Sequence, residues 1–128
     1  MATSSGQFHE AAGDLRAETR DRHRAIVSLM EELDAVDWYD QRIDATGDTA
    51  LRDILRHNRD EEKEHAAMLL ERVRRHDPTW DAPLRRYLFT ERPIAEMARL
   101  DGALPEVDHA DHPPLSLPID RLPGKEML

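Results

Sequence analysis

The chain contains no cysteine, which excludes disulfides and thiolate metal sites. Aromatic residues make up only 5% of its 128 positions, too few for a large self-sufficient core. Part of the apolar burial is therefore expected from a partner subunit. No run approaches the ~20 apolar residues of a membrane span. The first residues, Met1-Ala-Thr-Ser-Ser-Gly6, lack a basic stretch leading into an apolar one, so no secretory signal is expected there. Alternating β-branched runs are missing, which leaves strands without support. These absences point to one small, soluble, all-α domain, expected in the cytoplasm.

Charge is what the chain has in excess. Acidic side chains number 27 against 18 basic ones, giving a net charge of −9. That balance argues against a nucleic-acid or anionic-membrane partner and suits cations. Residues 1–7 are small and polar and read as a disordered N-terminus. From about His9 to Gln41 the pattern is helical, with Ile26, Leu29, Met30, Leu33 and Val36 spaced by three and four. Gly47 breaks the pattern, and Asp48 or Thr49 can cap a second helix from about Thr49 to Arg75. Asp77-Pro78 ends that helix. A short third helix is expected from Trp80 to Thr90, with Leu84, Tyr87, Leu88 and Phe89 covering a hairpin end. Pro93 to Leu100 adds another helical turn or two. The helical domain spans 8–101. Five of the eight prolines then lie between Pro105 and Pro123, so 102–128 reads as a flexible tail, although it carries the spaced apolar residues Leu117, Ile119 and Leu122.

The second helix carries an anomaly. Leu51, Ile54, Leu55, Asn58, Leu69 and Val73 fall on one stripe, and Glu62 and His65 sit in its centre. A carboxylate and an imidazole three residues apart point the same way and can grip one cation. On the first helix Glu32 flanks the apolar stripe, with Tyr39 seven residues further along nearly the same line. Glu31, Asp34 and Trp38 share a different face. Ferritin-like di-iron sites take one Glu from each of two helices and a Glu-x-x-His from each of two others. This chain offers half of that set on half of a four-helix bundle, so an antiparallel two-helix hairpin would complete bundle and site by dimerising. Iron or manganese suits such ligands, and zinc remains open. The competing reading is a non-catalytic helical oligomer or adaptor, in which Asn58, Glu62 and His65 form a buried polar layer that fixes register.

The longest distinctive runs are His23-Arg-Ala-Ile-Val-Ser-Leu-Met-Glu-Glu-Leu-Asp-Ala-Val-Asp-Trp-Tyr-Asp-Gln-Arg-Ile-Asp-Ala45 and His57-Asn-Arg-Asp-Glu-Glu-Lys-Glu-His-Ala-Ala-Met68, continued by Tyr87-Leu-Phe-Thr-Glu91. Together they resemble the encapsulated ferritins, the iron-oxidising cargo of encapsulin nanocompartments, over about residues 8 to 95. The resemblance implies a ferroxidase that oxidises Fe²⁺ to Fe³⁺ with O₂. Glu32, Glu62 and His65 would be the di-iron ligands, two copies per dimer, with Glu62 bridging and Tyr39 supporting the site by hydrogen bonding. Glu31, Asp34 and Trp38 would form a metal-access site, able to take Ca²⁺ or other divalent ions; Asp34 stands where the family usually has Glu. The homodimer would assemble to a ring-shaped homodecamer inside an encapsulin shell. Family cargo usually ends in a docking peptide resembling Leu-Thr-Val-Gly-Ser-Leu. Here Leu117-Pro-Ile-Asp-Arg-Leu122 keeps the apolar spacing, with Asp120-Arg121 in place of Gly-Ser.

Overall fold

The computed structural model describes residues 6–100; the tail, with Leu117, Ile119 and Leu122, lies outside them. A short 3₁₀ turn, Ala12–Asp14, precedes two long helices, α1 (Ala17–Ala45) and α2 (Thr49–His76). Two short ones follow, α3 (Pro78–Tyr87) and α4 (Ile94–Leu100). The all-α hairpin expected from periodicity is therefore what the chain forms. No helix among the described residues is long and apolar enough to cross a membrane.

Hydrogen bonds, rather than glycine, make the hairpin turn. The Asp48 side chain accepts from the Leu51 amide at 3.1 Å and caps α2. At the end of α1 the Arg52 guanidinium reaches back, its Nε donating to the Ile43 carbonyl at 3.3 Å and Nη2 to the Thr46 carbonyl. These are carbonyls that a helix end leaves without intrahelical partners. A Cβ placed on Gly47 would meet nothing within 4 Å, and its backbone is not left-handed. Gly47 therefore accompanies the break without causing it.

Four boundaries differ from expectation, one of them the end of α1 at Ala45 rather than near Gln41. α1 starts at Ala17, not near His9, and Arg16 at its N-cap makes no side-chain capping bond. The segment before it runs back along the helix, where Phe8 packs on the His23 ring with centroids 4.6 Å apart, and His23 Nε2 lies 2.9 Å from the Gly6 carbonyl. The third helix starts at Pro78, not Trp80, because Asp77 caps it through the Thr79 amide and Pro78 occupies its first turn. It ends at Tyr87. Leu88 and Phe89 do not cover the hairpin end: Phe89 is 95% exposed and takes a left-handed φ of 60°.

α3 is fastened to α2 by charge. Arg74, buried on α2, donates to both oxygens of Glu71 and, at 2.6 Å, to Asp81 on α3. Arg85 donates to the same Asp81 carboxylate at 2.9 Å. Burial disfavours the Asp81 charge, but hydrogen bonds from Arg74 and Arg85 outweigh it and hold the carboxyl below its usual range. Glu71 is lowered chiefly by the Arg74 hydrogen bond.

The core is thin. Ile43, Ala66, Val73 and Met97 are the buried apolar residues among those described, while Ile26, Leu33, Trp38, Ile54 and Met68 are exposed. Two helices side by side form one layer, and a layer hides its apolar surface only against another.

Candidate metal centre

Three side chains meet across the middle of the hairpin. Antiparallel pairing sets the central turns of α2 against Glu32 of α1. Helical spacing then projects Glu62 and His65 together toward it. His65 Nδ1 lies 3.2 Å from Glu62 Oε2 and 3.7 Å from Glu32 Oε2. One donor atom from each residue falls within 4.8 Å of the other two. Among the described residues this is the one such group of three or more potential metal ligands.

Glu62 and His65 are not buried within a single chain. Side-chain exposure is 24% for Glu62, 26% for Glu32 and 49% for His65. The stripe they interrupt is itself partly open, with Ile54 and Leu51 exposed on the same helix.

The three groups perturb one another's ionisation. Glu32 is raised above the ordinary carboxyl range because it hydrogen-bonds the Glu62 carboxylate, with burial adding to the effect. Glu62 is lowered because it receives that bond and another from His65. His65 is raised because its ring hydrogen-bonds Glu62. Two carboxylates this close resist ionising together, and their titrations are linked. A divalent cation relieves that repulsion: it takes oxygen and nitrogen donors and competes with protons for them. The donor set fits iron or manganese and offers no thiolate to favour a closed zinc site.

The other sequence-selected residues stand apart from this cluster. Tyr39 is half-buried on α1, with the Arg42 guanidinium 5.7 Å from its ring centroid, and its hydroxyl makes no hydrogen bond to the cluster. Glu31 and Asp34 are exposed on α1, and Trp38 is 53% exposed. Glu61 pairs outward with His57 at 3.0 Å.

Sequence reading missed a cross-helix pair beside the cluster. Arg59, one turn before Glu62, donates through Nη1 to Asp40 of α1 at 2.9 Å and through Nε to Asp60 at 3.1 Å. The signal was the Arg at helical spacing from Glu62. Its partner lies 19 residues away and becomes visible only once the hairpin register is known.

The chain is 61% identical over 103 residues to the encapsulated ferritin-like protein of Rhodospirillum rubrum, covering 80% of this chain and 74% of that one. It is 56% identical over 91 residues to a ferritin-like protein of Thermotoga maritima, covering 71% and 80% respectively. The encapsulin nanocompartment cargo protein EncC of Myxococcus xanthus is 37% identical over 71 residues, covering 56% of this chain and 55% of EncC. The fold is similar to a crystal structure of a Nitrosomonas europaea protein, with a TM-score of 0.67 and 61% identity over 69% of this chain and 97% of that one. Residues 7–91, which contain every member of the cluster, match the EncFtn-like family, and the chain belongs to that family of encapsulated ferritins.

Proposed function

We propose that this protein is a ferroxidase whose di-iron site forms between two subunits. The observation that carries the reading is the convergence of Glu32, Glu62 and His65 from two helices within 4.8 Å on a half-open face. Three donors do not fill the coordination sphere of an iron ion, and a second copy of the face would double them. Family membership supports iron as the substrate. The glutamates supply negative charge that favours Fe³⁺ over Fe²⁺, and His65 supplies the nitrogen donor. Two Fe²⁺ lose one electron each, and O₂ with two protons becomes hydrogen peroxide. Metal ligation needs ionised carboxylates and a neutral imidazole, so a cation competes with protons for Glu32 and His65, both of which are raised above their ordinary values.

The surrounding assignments belong to the same proposal. Tyr39 lies on the Glu32 side of α1 and supports the site once its hydroxyl turns toward it. Glu31, Asp34 and Trp38 concentrate divalent ions, Ca²⁺ among them, on a separate exposed face. Dimers build the homodecamer. Names of relatives that refer to encapsulin and encapsulation support an encapsulin shell as the partner, and the proposal places that shell in the cytoplasm. Leu117, Ile119 and Leu122 of the tail are the docking residues.

The test is stopped-flow absorbance of ferric-oxo species after metal-free protein meets Fe²⁺ in air. Wild type should oxidise iron far faster than buffer, and Glu32→Ala, Glu62→Ala and His65→Ala should each remove the fast phase. Undiminished rates in all three would overturn the site. Wild-type traces no faster than buffer would leave the oligomer or adaptor reading, with the cluster as a register device.

A further inference from the structure

The cluster spans two helices, so its geometry depends on how far one slides along the other. Described side-chain ties between α1 and α2 are few. Arg52 binds the end of α1 beside the turn. At the opposite end Arg22 approaches Asp77, just past α2, at 3.7 Å. Both anchors are distant: Arg52 lies about 15 Å along α2 from Glu62, and Asp77 about 18 Å beyond His65. The Asp40–Arg59 pair is the ion pair nearest the cluster that joins the two helices. Arg59 sits about 4.5 Å along the axis from Glu62.

We propose that Asp40 and Arg59 are positioning residues that set Glu62 and His65 in register with Glu32 and so govern how tightly the cluster holds a divalent cation. This rests on the cluster's being the metal site. The Arg59 guanidinium is fixed at two points, by Asp40 at 2.9 Å and by Asp60 at 3.1 Å. Only 23% of its side chain is exposed. A charge-assisted bond of this length resists axial slip more firmly than apolar contacts, which slide at little cost. Metal ligands tolerate errors of roughly 0.2 Å, so a small slip between the helices is felt at the cation. A partly exposed pair changes such an equilibrium by up to about fivefold.

Electrostatics alone predicts a different pattern. Removing the Arg59 charge would strengthen cation binding, and removing the Asp40 charge would weaken it. A register pin predicts that both removals weaken binding, and that removing both is no worse than removing one.

The experiment is a Co²⁺ titration of the full chain at fixed protein concentration, followed by visible absorbance and calorimetry. Wild type is compared with Arg59→Met, Asp40→Asn, the double variant and Glu62→Ala, with a melting curve for each. The pin predicts a loss of about three- to fivefold in Co²⁺ affinity for each single variant and no further loss in the double. Opposite signs, additive losses, or lowered melting temperatures with unchanged affinity would overturn it while leaving the ferroxidase reading intact. Wild type binding Co²⁺ no better than Glu62→Ala would remove the metal site, and the pin with it.

Discussion

Replacing Arg74 with methionine should detach α3 from α2. Arg74 is the one charged residue buried among those described, and it serves two carboxylates at once, Glu71 on its own helix and Asp81 on the next. Removing one partner from a buried ion pair costs about 3–5 kcal/mol. Two features reduce that figure here. Glu71 is 40% exposed and keeps Arg75 at 3.1 Å, while Asp81 keeps Arg85 at 2.9 Å. A loss of about 2 kcal/mol remains, which lowers the melting temperature of a domain this size by roughly 8–16 °C. Arg74→Lys should recover part of the loss, because an ammonium serves one carboxylate well and lacks the planar fork to hold both. The pH dependence has a definite sign. Glu71 and Asp81 are both depressed in the folded chain, so their contribution is fully present above the ordinary carboxylate range and disappears as pH falls through the depressed values. The gap between wild type and Arg74→Met should therefore be constant near pH 7 and close below about pH 4. The assay is thermal unfolding by circular dichroism at fixed protein concentration. A loss under about 0.5 kcal/mol at pH 7, or a gap that widens in acid, would refute the reasoning.

Three further outcomes follow from local geometry and a fourth from the proposed site between subunits. Gly47→Ala should leave the turn intact and stabilise the chain by about 0.4–1 kcal/mol, read from a denaturant midpoint, because its Cβ meets nothing. Asp48→Ala should cost about 1 kcal/mol in the same measurement through loss of the α2 cap. Phe89→Gly should relieve a left-handed φ and raise stability by up to about 1 kcal/mol; a clear fall would show that its exposed ring is buried in the assembled protein. Stripping metal with a chelator should shift the protein toward smaller species in analytical ultracentrifugation, and Glu62→Ala should show the smaller distribution without chelator.

The fold was legible where the sequence carries punctuation. Asp48 before Thr49 and Asp77 before Pro78 are capping signals with one physical meaning, and α2 begins and ends at them. The start of α1 was not legible, because Arg16 offers no capping side chain and the charged residues before Ala17 suit a helix as well as a turn. Gly47 marked the break in the right place, although the backbone there does not require a glycine. The approach of Glu32 to Glu62 and His65 was legible because Glu-x-x-His on an apolar stripe, in a hairpin of known sense, leaves little choice of opposite number. Its exposure was not. Periodicity shows that a face is apolar, not whether this chain or another covers it. Cross-helix ties such as Asp40–Arg59 were hidden because they depend on register to within a single turn, which periodicity alone does not fix.

The thin core and the half-open cluster are two aspects of one architecture. A two-helix layer leaves Ile26, Leu33, Ile54 and Met68 in water and leaves the cluster partly open among them. On the dimeric reading, a second hairpin would bury apolar surface and supply the missing donors in one step. Metal affinity and subunit affinity would then be linked, since whatever favours the assembled state favours the filled site. A closed single-chain bundle lacks that linkage, because its ligands are gathered whether or not metal is present. On that reading a partner completes the three donors of one hairpin, and hydrogen bonding among Glu32, Glu62 and His65 offsets only part of the repulsion between the carboxylates in the single chain. The polar cluster therefore need not stabilise the hairpin by itself. Its cost in the single chain is limited by exposure, and its full cost as buried charge would arise only in an assembly where a cation neutralises it.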